Sequence, residues 1–239
     1  MRRFYVPKEN IDEKTVTLGE EETRHLRDVL RLKSGDEARV FDGGGREFLC
    51  RIAKVSKKES ILDIIGEIEP ASPESDLELT LAVALLKGEK FDLVIQKAVE
   101  LGVTALVPLE TARSDVKIKD PGKKLERWRK IALEACKQSG RARLMEIAAP
   151  ADFGGFIDAS QTGLRILFAE RGGEDFRAVE PGKKITALIG PEGGWEDREI
   201  DAARDKGFTI TTLGGRILRA ETAAISIAAI LQHRFGDLS

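Results

Sequence analysis

The sequence predicts an α/β protein in two domains, with a small β-barrel at residues 1–72 and a larger α/β domain at residues 73–239. Three observations predict this fold. Short strand-like segments joined by tight turns occupy the first part of the chain, which is typical of a small barrel. The segment Pro70–Ser75 contains two prolines and two serines and interrupts the periodic pattern. Beyond it, strand-like and helix-like segments alternate, which indicates a mainly parallel sheet.

The composition limits the class of protein. The chain has 239 residues, of which 33% are charged, and its formal net charge is −2. A nucleic-acid site must therefore be a local basic patch rather than a property of the whole surface. Cys50 and Cys136 are far apart and lack the spacing of metal ligands, so we expect a cytoplasmic protein without a metal. We also expect neither a signal peptide nor a membrane span, because the apolar stretches are too short.

In the first domain, strands are predicted at Phe4–Val6, Glu37–Phe41, Glu47–Val55 and Ser60–Ile68, with a hairpin turn at Asp42–Gly45. Thr17–Arg31 is predicted as a turn and a helix. Within it, Arg24, Arg27 and Arg31 are spaced i, i+3 and i+7 and would share one helix face. Three guanidinium groups on one face are able to bind RNA phosphates. The alternative is a solvated face that neighbouring glutamates balance.

In the second domain, strands are predicted at Leu77–Leu86, Ala105–Leu109, Leu164–Ala169, Ile185–Ile189 and Phe208–Leu213, and helices at Lys90–Leu101, Lys123–Lys137, Trp195–Lys206 and from about Thr222 to Phe235. Three of these strands end in polar or glycine-rich turns, namely Glu170–Gly173, Gly190–Gly194 and Leu213–Leu218. Open α/β sheets place their ligands at such strand ends. Three converging loops therefore predict one ligand site.

The glycine turn Gly190–Gly194 allows a ligand to approach the main chain closely. It suits a flat polar ligand such as an adenine ring or a ribose. Neither glycine-rich phosphate-binding pattern occurs there, and Glu192, Glu196 and Asp197 would repel an anion. These features disfavour an enzyme that holds nucleotide phosphates in this turn.

Two segments, I-G-P-E-G-G at Ile189–Gly194 and L-G-G-R-I-L-R-A-E-T-A at Leu213–Ala223, resemble the RsmE family of ribosomal RNA methyltransferases. His25–Arg31 and Gln138–Arg141 are also similar to elements of that family. The resemblance implies a C-terminal SPOUT-type α/β domain, knotted as a trefoil around S-adenosylmethionine, and an N-terminal PUA-like barrel that binds RNA. It also implies a homodimer that methylates N3 of a uridine in 16S ribosomal RNA of the small ribosomal subunit.

The resemblance also suggests roles for individual residues. Arg219 would stabilise a uracil anion, and Glu221 or Glu192 would accept the N3 proton, unless Glu221 only orients Arg219. The predicted cofactor-binding residues are Leu167, Glu170, Gly190, Pro191, Gly193, Gly194, Leu213, Gly214, Leu218 and Ala220. The predicted RNA-binding residues are Arg3, Arg24, Arg27, Arg31, Lys87, Gln138 and Arg141.

Other functions remain open at this stage. A SPOUT enzyme with another target, such as a ribose 2′-hydroxyl of transfer RNA, would share the two glycine-rich segments. A non-catalytic RNA-binding or ribosome-assembly factor would explain the barrel and the arginines, but not three glycine or polar turns at strand ends.

Overall fold

The computed structural model describes residues 2–159, 162–180 and 182–238. The chain divides into two compact units. The first comprises Met1–Glu74 and Cys136–Leu144, and the second comprises Ser75–Ala135 and Met145–Ser239. The segment Cys136–Leu144 therefore groups with the first unit, whereas the sequence analysis placed it in the second domain.

The first unit is built on a five-stranded sheet. Its strands are β1 (Arg3–Tyr5), β2 (Thr15–Leu18), β3 (Glu37–Phe41), β4 (Glu47–Val55) and β5 (Ser60–Ile68). Their order across the sheet is β1-β3-β4-β5-β2, and all neighbours are antiparallel except β1 and β3. Phe4, Leu26 and Ile52 are among the fully buried apolar side chains of its core. The predicted β3, β4 and β5 have the observed bounds, whereas β2 was not predicted.

The helical segment of the first unit differs from the prediction. It consists of helix α1 (Glu20–Arg24) and a π-helical turn at His25–Val29. Arg31 lies beyond both, with a φ of 53°. The predicted single face for Arg24, Arg27 and Arg31 is therefore wrong, because their spacing assumed 3.6 residues per turn throughout.

Two arginines that the sequence analysis assigned to RNA binding are buried within the first unit. Arg3 forms an ion pair with Glu47 at 3.2 Å, and the two side chains are 1% and 0% exposed. Arg141 forms an ion pair with Glu74 at 2.7 Å and is also buried. These two predictions are wrong, because a guanidinium group that is buried against a carboxylate is not accessible to a phosphate.

We expect Glu47→Gln to destabilise the protein by about 3–5 kcal/mol, because it leaves the buried guanidinium group of Arg3 without its counter-charge. Chemical denaturation measures the change. Glu67→Gln is the matched control, because Glu67 pairs with Arg46 at 2.7 Å on the surface, where both side chains are more than half exposed. The control is expected to change stability by less than about 1 kcal/mol. Equal losses of stability for the two substitutions would show that the buried ion pair contributes no more to stability than the surface pair.

Both cysteines are buried free thiols. Burial raises the pKa of Cys50 to about 12 and is the main cause that raises the pKa of Cys136 to about 11. The thiolate is the reactive form of cysteine, so neither side chain is suited to act as a nucleophile near neutral pH.

The second unit is built on a sheet in which all neighbouring strands are parallel. Its strands are β6 (Glu78–Ala84), β7 (Ala105–Glu110), β8 (Glu146–Ile147), β9 (Ala151–Asp152), β10 (Leu164–Phe168), β11 (Glu174–Asp175), β12 (Lys184–Ile189) and β13 (Thr209–Thr212). Their order is β11-β13-β10-β12-β6-β7-β8, and β9 also pairs with β7. The predicted alternation of strands and helices is confirmed, whereas the two-residue strands β8, β9 and β11 were not predicted.

The main helices of the second unit agree with the prediction to within a few residues. They are α2 (Lys90–Glu100), α3 (Pro121–Ser139, whose last four residues belong to the first unit), α4 (Phe153–Asp158), α5 (Asp197–Asp205) and α6 (Ala220–Phe235). Helix α4 was not predicted. Helix α5 begins two residues later than predicted, because Glu196 and Glu199 form a capping box at its start. Among the described residues, no helix has both the length and the apolar character that a membrane span requires.

Candidate functional site

The three predicted loops lie at one edge of the second sheet. β10 has β13 on one side and β12 on the other, and all three strands run in the same direction. The loops that follow them, Glu170–Gly173, Gly190–Gly194 and Leu213–Leu218, therefore leave the sheet side by side. The structure thus brings together residues that lie some forty positions apart in the sequence.

The loop after β12 needs its glycines. Gly194 has a φ of 70°, and a Cβ at this position would lie 2.6 Å from Oε1 of Glu170. A Cβ at Gly190 would lie 2.9 Å from Nε1 of Trp195, whose indole N–H donates to the carbonyl of Phe168 at 2.9 Å. The side chains of Glu170 and Trp195 therefore occupy the space that a Cβ would need, so the loops after β10 and β12 pack closely only because glycines stand at these positions.

Two arginines that the sequence analysis did not identify hold this loop. Arg113 donates from Nη1 to the carbonyl of Gly193 at 3.0 Å. Arg171 donates from Nη2 to the carbonyl of Trp195 at 3.1 Å and pairs with Asp197 at 2.7 Å. The hydrogen bond with Asp197 is the main cause that raises the pKa of Arg171. Both guanidinium groups thus anchor backbone atoms of the glycine loop and favour one loop conformation.

Lys90, the first residue of α2, links the two acids that were proposed as proton acceptors. Its Nζ contacts Glu192 of the glycine loop and lies 3.8 Å from Oε2 of Glu221. Among the described residues, Oε2 of Glu221 has no hydrogen-bond partner, although the side chain is only 14% exposed. One ammonium group therefore sits between a carboxylate of the loop after β12 and one of the first turn of α6, and Oε2 of the second is within ion-pair distance but accepts no hydrogen bond from the described residues.

Arg219 is exposed and precedes the first residue of α6. Its carbonyl accepts from the backbone N–H of Ala223 at 2.8 Å. Within the described part of the chain, no carboxylate pairs with its guanidinium group, and the nearby Glu221 pairs with Lys90 instead. The alternative in which Glu221 only orients Arg219 by an ion pair is therefore not the arrangement that the structure has.

The loop after β13 provides further backbone and hydroxyl groups. Gly214 and Gly215 have positive φ values of 73° and 79°, and Leu218 is 38% exposed. Just before this loop, the hydroxyl oxygens of Thr211 and Thr212 are buried and have no hydrogen-bond partner among the described residues. Buried hydroxyl groups are usually paired, so these two are candidates for contact with a bound molecule.

Most of the remaining predicted cofactor residues lie in the loops or at a helix start, and one lies inside a strand. Glu170 and Gly193 are exposed on neighbouring loops, Leu213 is half-buried, and Pro191 and Ala220 are buried at the loop and helix starts. Leu167 lies inside β10, is fully buried and packs in the core with Trp195. Its side chain is covered and its strand is paired on both sides, and its contact with the cofactor stays a prediction.

The remaining predicted RNA-binding residues differ in exposure and in their partners. Arg24, Arg31, Lys87 and Gln138 are exposed, and Arg27 is half-buried. Lys87 pairs with Asp115 at 2.7 Å, and the resulting hydrogen bond raises the pKa of Lys87. The carboxylate partners of Arg24 and Arg27 are Glu20 and Asp28. Among the described residues, no group of three or more His, Cys, Asp and Glu side chains is placed to hold a metal ion.

Comparisons with known proteins identify the class of protein to which this fold and site belong. Residues 73–232 match the model of the RNA methyltransferase domain, and residues 18–65 match the model of the RNA methyltransferase PUA domain. The chain therefore belongs to the RNA methyltransferases, and its first unit contains a PUA domain.

Individual relatives identify the family within the RNA methyltransferases. The ribosomal RNA small subunit methyltransferase E of Synechocystis is 39% identical over 95% of this chain and 76% of its own. The same protein from Aquifex aeolicus is 34% identical over 90% of this chain and 93% of its own. A crystal structure of the Neisseria gonorrhoeae protein bound to S-adenosylmethionine aligns with a TM-score of 0.91, at 33% identity, over the full length of both chains. The chain belongs to the family of ribosomal RNA small subunit methyltransferase E.

Proposed function

We propose that this protein transfers a methyl group from S-adenosylmethionine to N3 of a uridine in 16S ribosomal RNA. The observation that carries the proposal is the position of Lys90, Glu192 and Glu221 beside the three glycine or polar loops of the sheet. This position supports a proton acceptor next to the loops that we propose hold the cofactor. Family membership supplies the reaction class and the RNA target.

The residues present fit S-adenosylmethionine. This cofactor supplies an electrophilic methyl group on a positively charged sulfur. The acidic side chains Glu170, Glu192 and Glu221 suit that charge, and the backbone of the loop Gly190–Gly194 would hold the adenosine. Pro191, Leu213, Gly214, Leu218 and Ala220 would complete the pocket. The unpaired hydroxyl groups of Thr211 and Thr212 are further candidates for polar contact.

Glu221 is the better candidate for the proton acceptor. Methylation of N3 requires loss of the proton that this nitrogen carries near neutral pH. Glu192 is held by the ammonium group of Lys90, whereas Oε2 of Glu221 has no hydrogen-bond partner among the described residues. Arg219, which no described carboxylate neutralises, would then stabilise the negative charge on the uracil oxygens. In this arrangement Lys90 is a positioning residue that fixes Glu192 and Glu221 relative to each other.

Several finer features belong to the same proposal. The SPOUT family implies a trefoil knot in the second domain, and the PUA family implies that the first sheet closes as a barrel. We assign residues 1–72 to RNA binding and residues 73–239 to catalysis. A homodimer, in which the apolar face of α6 takes part, and a cytoplasmic location, where ribosomal RNA is modified, complete the proposal.

Methylation assays with several RNA substrates test the proposed function. The purified protein is incubated with radiolabelled S-adenosylmethionine and either 16S ribosomal RNA, assembled small subunits or bulk transfer RNA. We expect label in the 16S RNA, free or within the subunit, and none in transfer RNA. Label confined to transfer RNA would support the alternative SPOUT target. A protein that binds ribosomal RNA but transfers no label to any of these substrates would support the non-catalytic assembly factor.

We expect Lys90→Met to lower the single-turnover rate of methyl transfer about tenfold, because misplacement of the two carboxylates disturbs the reacting geometry. Lys90→Arg keeps the positive charge and is expected to restore most of the rate. Titration with S-adenosylmethionine measures cofactor affinity for the same variants. If the arginine variant is as slow as the methionine variant, the positive charge is not what positions the acids.

A further inference from the structure

A strongly basic segment lies beside the candidate site and was not identified from the sequence. Residues 113–130 contain eight Lys and Arg residues against three Asp and Glu residues, in a chain whose formal net charge is −2. The segment comprises the loop that follows β7 and the first half of α3. It is therefore the local basic patch that an RNA-binding protein of negative net charge requires.

Most of these cations are exposed, and several lack an acidic partner. Lys117, Lys119, Lys123 and Arg129 are exposed, and no carboxylate of the described residues pairs with them. On α3, Lys123, Arg127 and Lys130 follow one another at i, i+4 and i+7 and share the face opposite the buried Trp128. Arg127 and Lys130 of this face pair with Asp92 and Glu126. The cations that suit a polyanion are therefore the exposed ones without an acidic partner among the described residues, namely Lys117, Lys119, Lys123 and Arg129.

Two contacts join this segment to the candidate site. Arg113, at its start, donates to the carbonyl of Gly193 in the glycine loop at 3.0 Å. Arg127, near its end, forms an ion pair with Asp92 in the first turn of α2, the helix that begins with Lys90. The basic surface therefore extends outward from the residues proposed to perform the reaction.

We propose that residues 113–130 bind the phosphate backbone of the RNA strand that carries the target uridine. That the partner is RNA rests on the proposed function. That residues 113–130 form a binding surface is inferred from their charge, their exposure and their contacts with the candidate site. The target base must be unpaired to expose N3, so the flanking strand needs sequence-independent contacts that hold it in place. Exposed lysines and arginines provide such contacts, and their contribution depends on salt.

The test compares two triple variants that remove the same charge. Lys117→Gln, Lys119→Gln and Lys123→Gln are combined in one protein. The control combines Lys183→Gln, Arg204→Gln and Lys206→Gln, which replaces exposed residues at the opposite edge of the same sheet, before β12 and β13. Binding to 16S ribosomal RNA is measured between 50 and 200 mM salt, and S-adenosylmethionine titration monitors the integrity of the site.

We expect the first variant to bind RNA at least about tenfold more weakly at 0.1 M salt, with the slope of log K against log salt reduced by about 2. The control variant should bind RNA as the wild type does. Both variants should bind S-adenosylmethionine with the affinity of the wild type. Equal slopes for the two variants would overturn the proposal even if methyl transfer is observed. Loss of binding to assembled small subunits with unchanged binding to naked RNA would also overturn it, because the partner would then be a ribosomal protein. A reduced slope in a protein that transfers no methyl group would support the surface while contradicting the proposed function.

Discussion

Glu221→Gln is expected to lower the single-turnover rate of methyl transfer by about 10²–10⁴-fold, the range that a general base contributes. The substitution keeps the size of the side chain and removes its ability to accept the N3 proton. The fold should stay intact, because the partner side chain of Lys90 is 36% exposed and its ammonium group is 3.8 Å away, so water can solvate that group when Glu221 becomes an amide. Rapid-quench assays with saturating RNA and S-adenosylmethionine measure the chemical step apart from binding.

Glu192→Gln is the matched control for this prediction. Glu192 also contacts Lys90, but its carboxylate is engaged by the ammonium group, so we expect a rate loss of less than about tenfold. Raising the pH should partly restore the Glu221→Gln rate, since the uracil proton then leaves without the carboxylate. If Glu192→Gln is the slower variant, the proton acceptor is Glu192 and the assignment is reversed.

Arg219→Ala is expected to lower the same rate by about 10²–10³-fold, the loss that follows removal of one group that stabilises a developing negative charge. Arg219 is exposed at the end of the loop after β13 and is not neutralised by any described carboxylate, so its full charge is available to the base. Cofactor affinity should change little, because Arg219 is not among the proposed cofactor contacts.

Arg216→Ala provides the comparison for Arg219→Ala. Arg216 is an exposed arginine of the loop Leu213–Leu218, and its replacement by alanine removes the same charge as Arg219→Ala. We expect Arg216→Ala to keep the rate within about threefold of the wild type, as distant surface charges contribute little. Similar losses in both variants would indicate that the loop acts through its overall charge rather than through Arg219.

Much of the fold follows from local sequence pattern. The apolar stripe of α2, the hairpin of β3 and β4 and the apolar residues of α6 predict their elements to within a residue or two, because burial sets a regular period. The short strands β8 and β11 carry only two residues each and show no period. The π-helical turn at His25–Val29 also has no local signal, and it is the reason that the three arginines fail to share a face.

The sequence predicts the loops of the candidate site but not the ion pairs between their side chains. Glycine turns mark Gly190–Gly194 and Leu213–Leu218 directly. The contact of Lys90 with Glu192 and Glu221 depends on which strands are neighbours in the sheet, and spacing along the chain does not reveal that. Arg3 was misassigned for the same reason. Its position near the N-terminus does not reveal that its side chain is buried in an ion pair with Glu47.

Mass spectrometry of nucleosides from methylated 16S ribosomal RNA tests the central claim most directly. RNA that has reacted with the protein and S-adenosylmethionine is digested to nucleosides, and the methylated product is compared with authentic standards. The arrangement of Glu221 and Arg219 predicts 3-methyluridine, which is expected to form at least about a hundredfold more slowly when either residue is replaced as above. A 2′-O-methylated nucleoside, or a methyl group on any other base position, would contradict the proposed chemistry of the site.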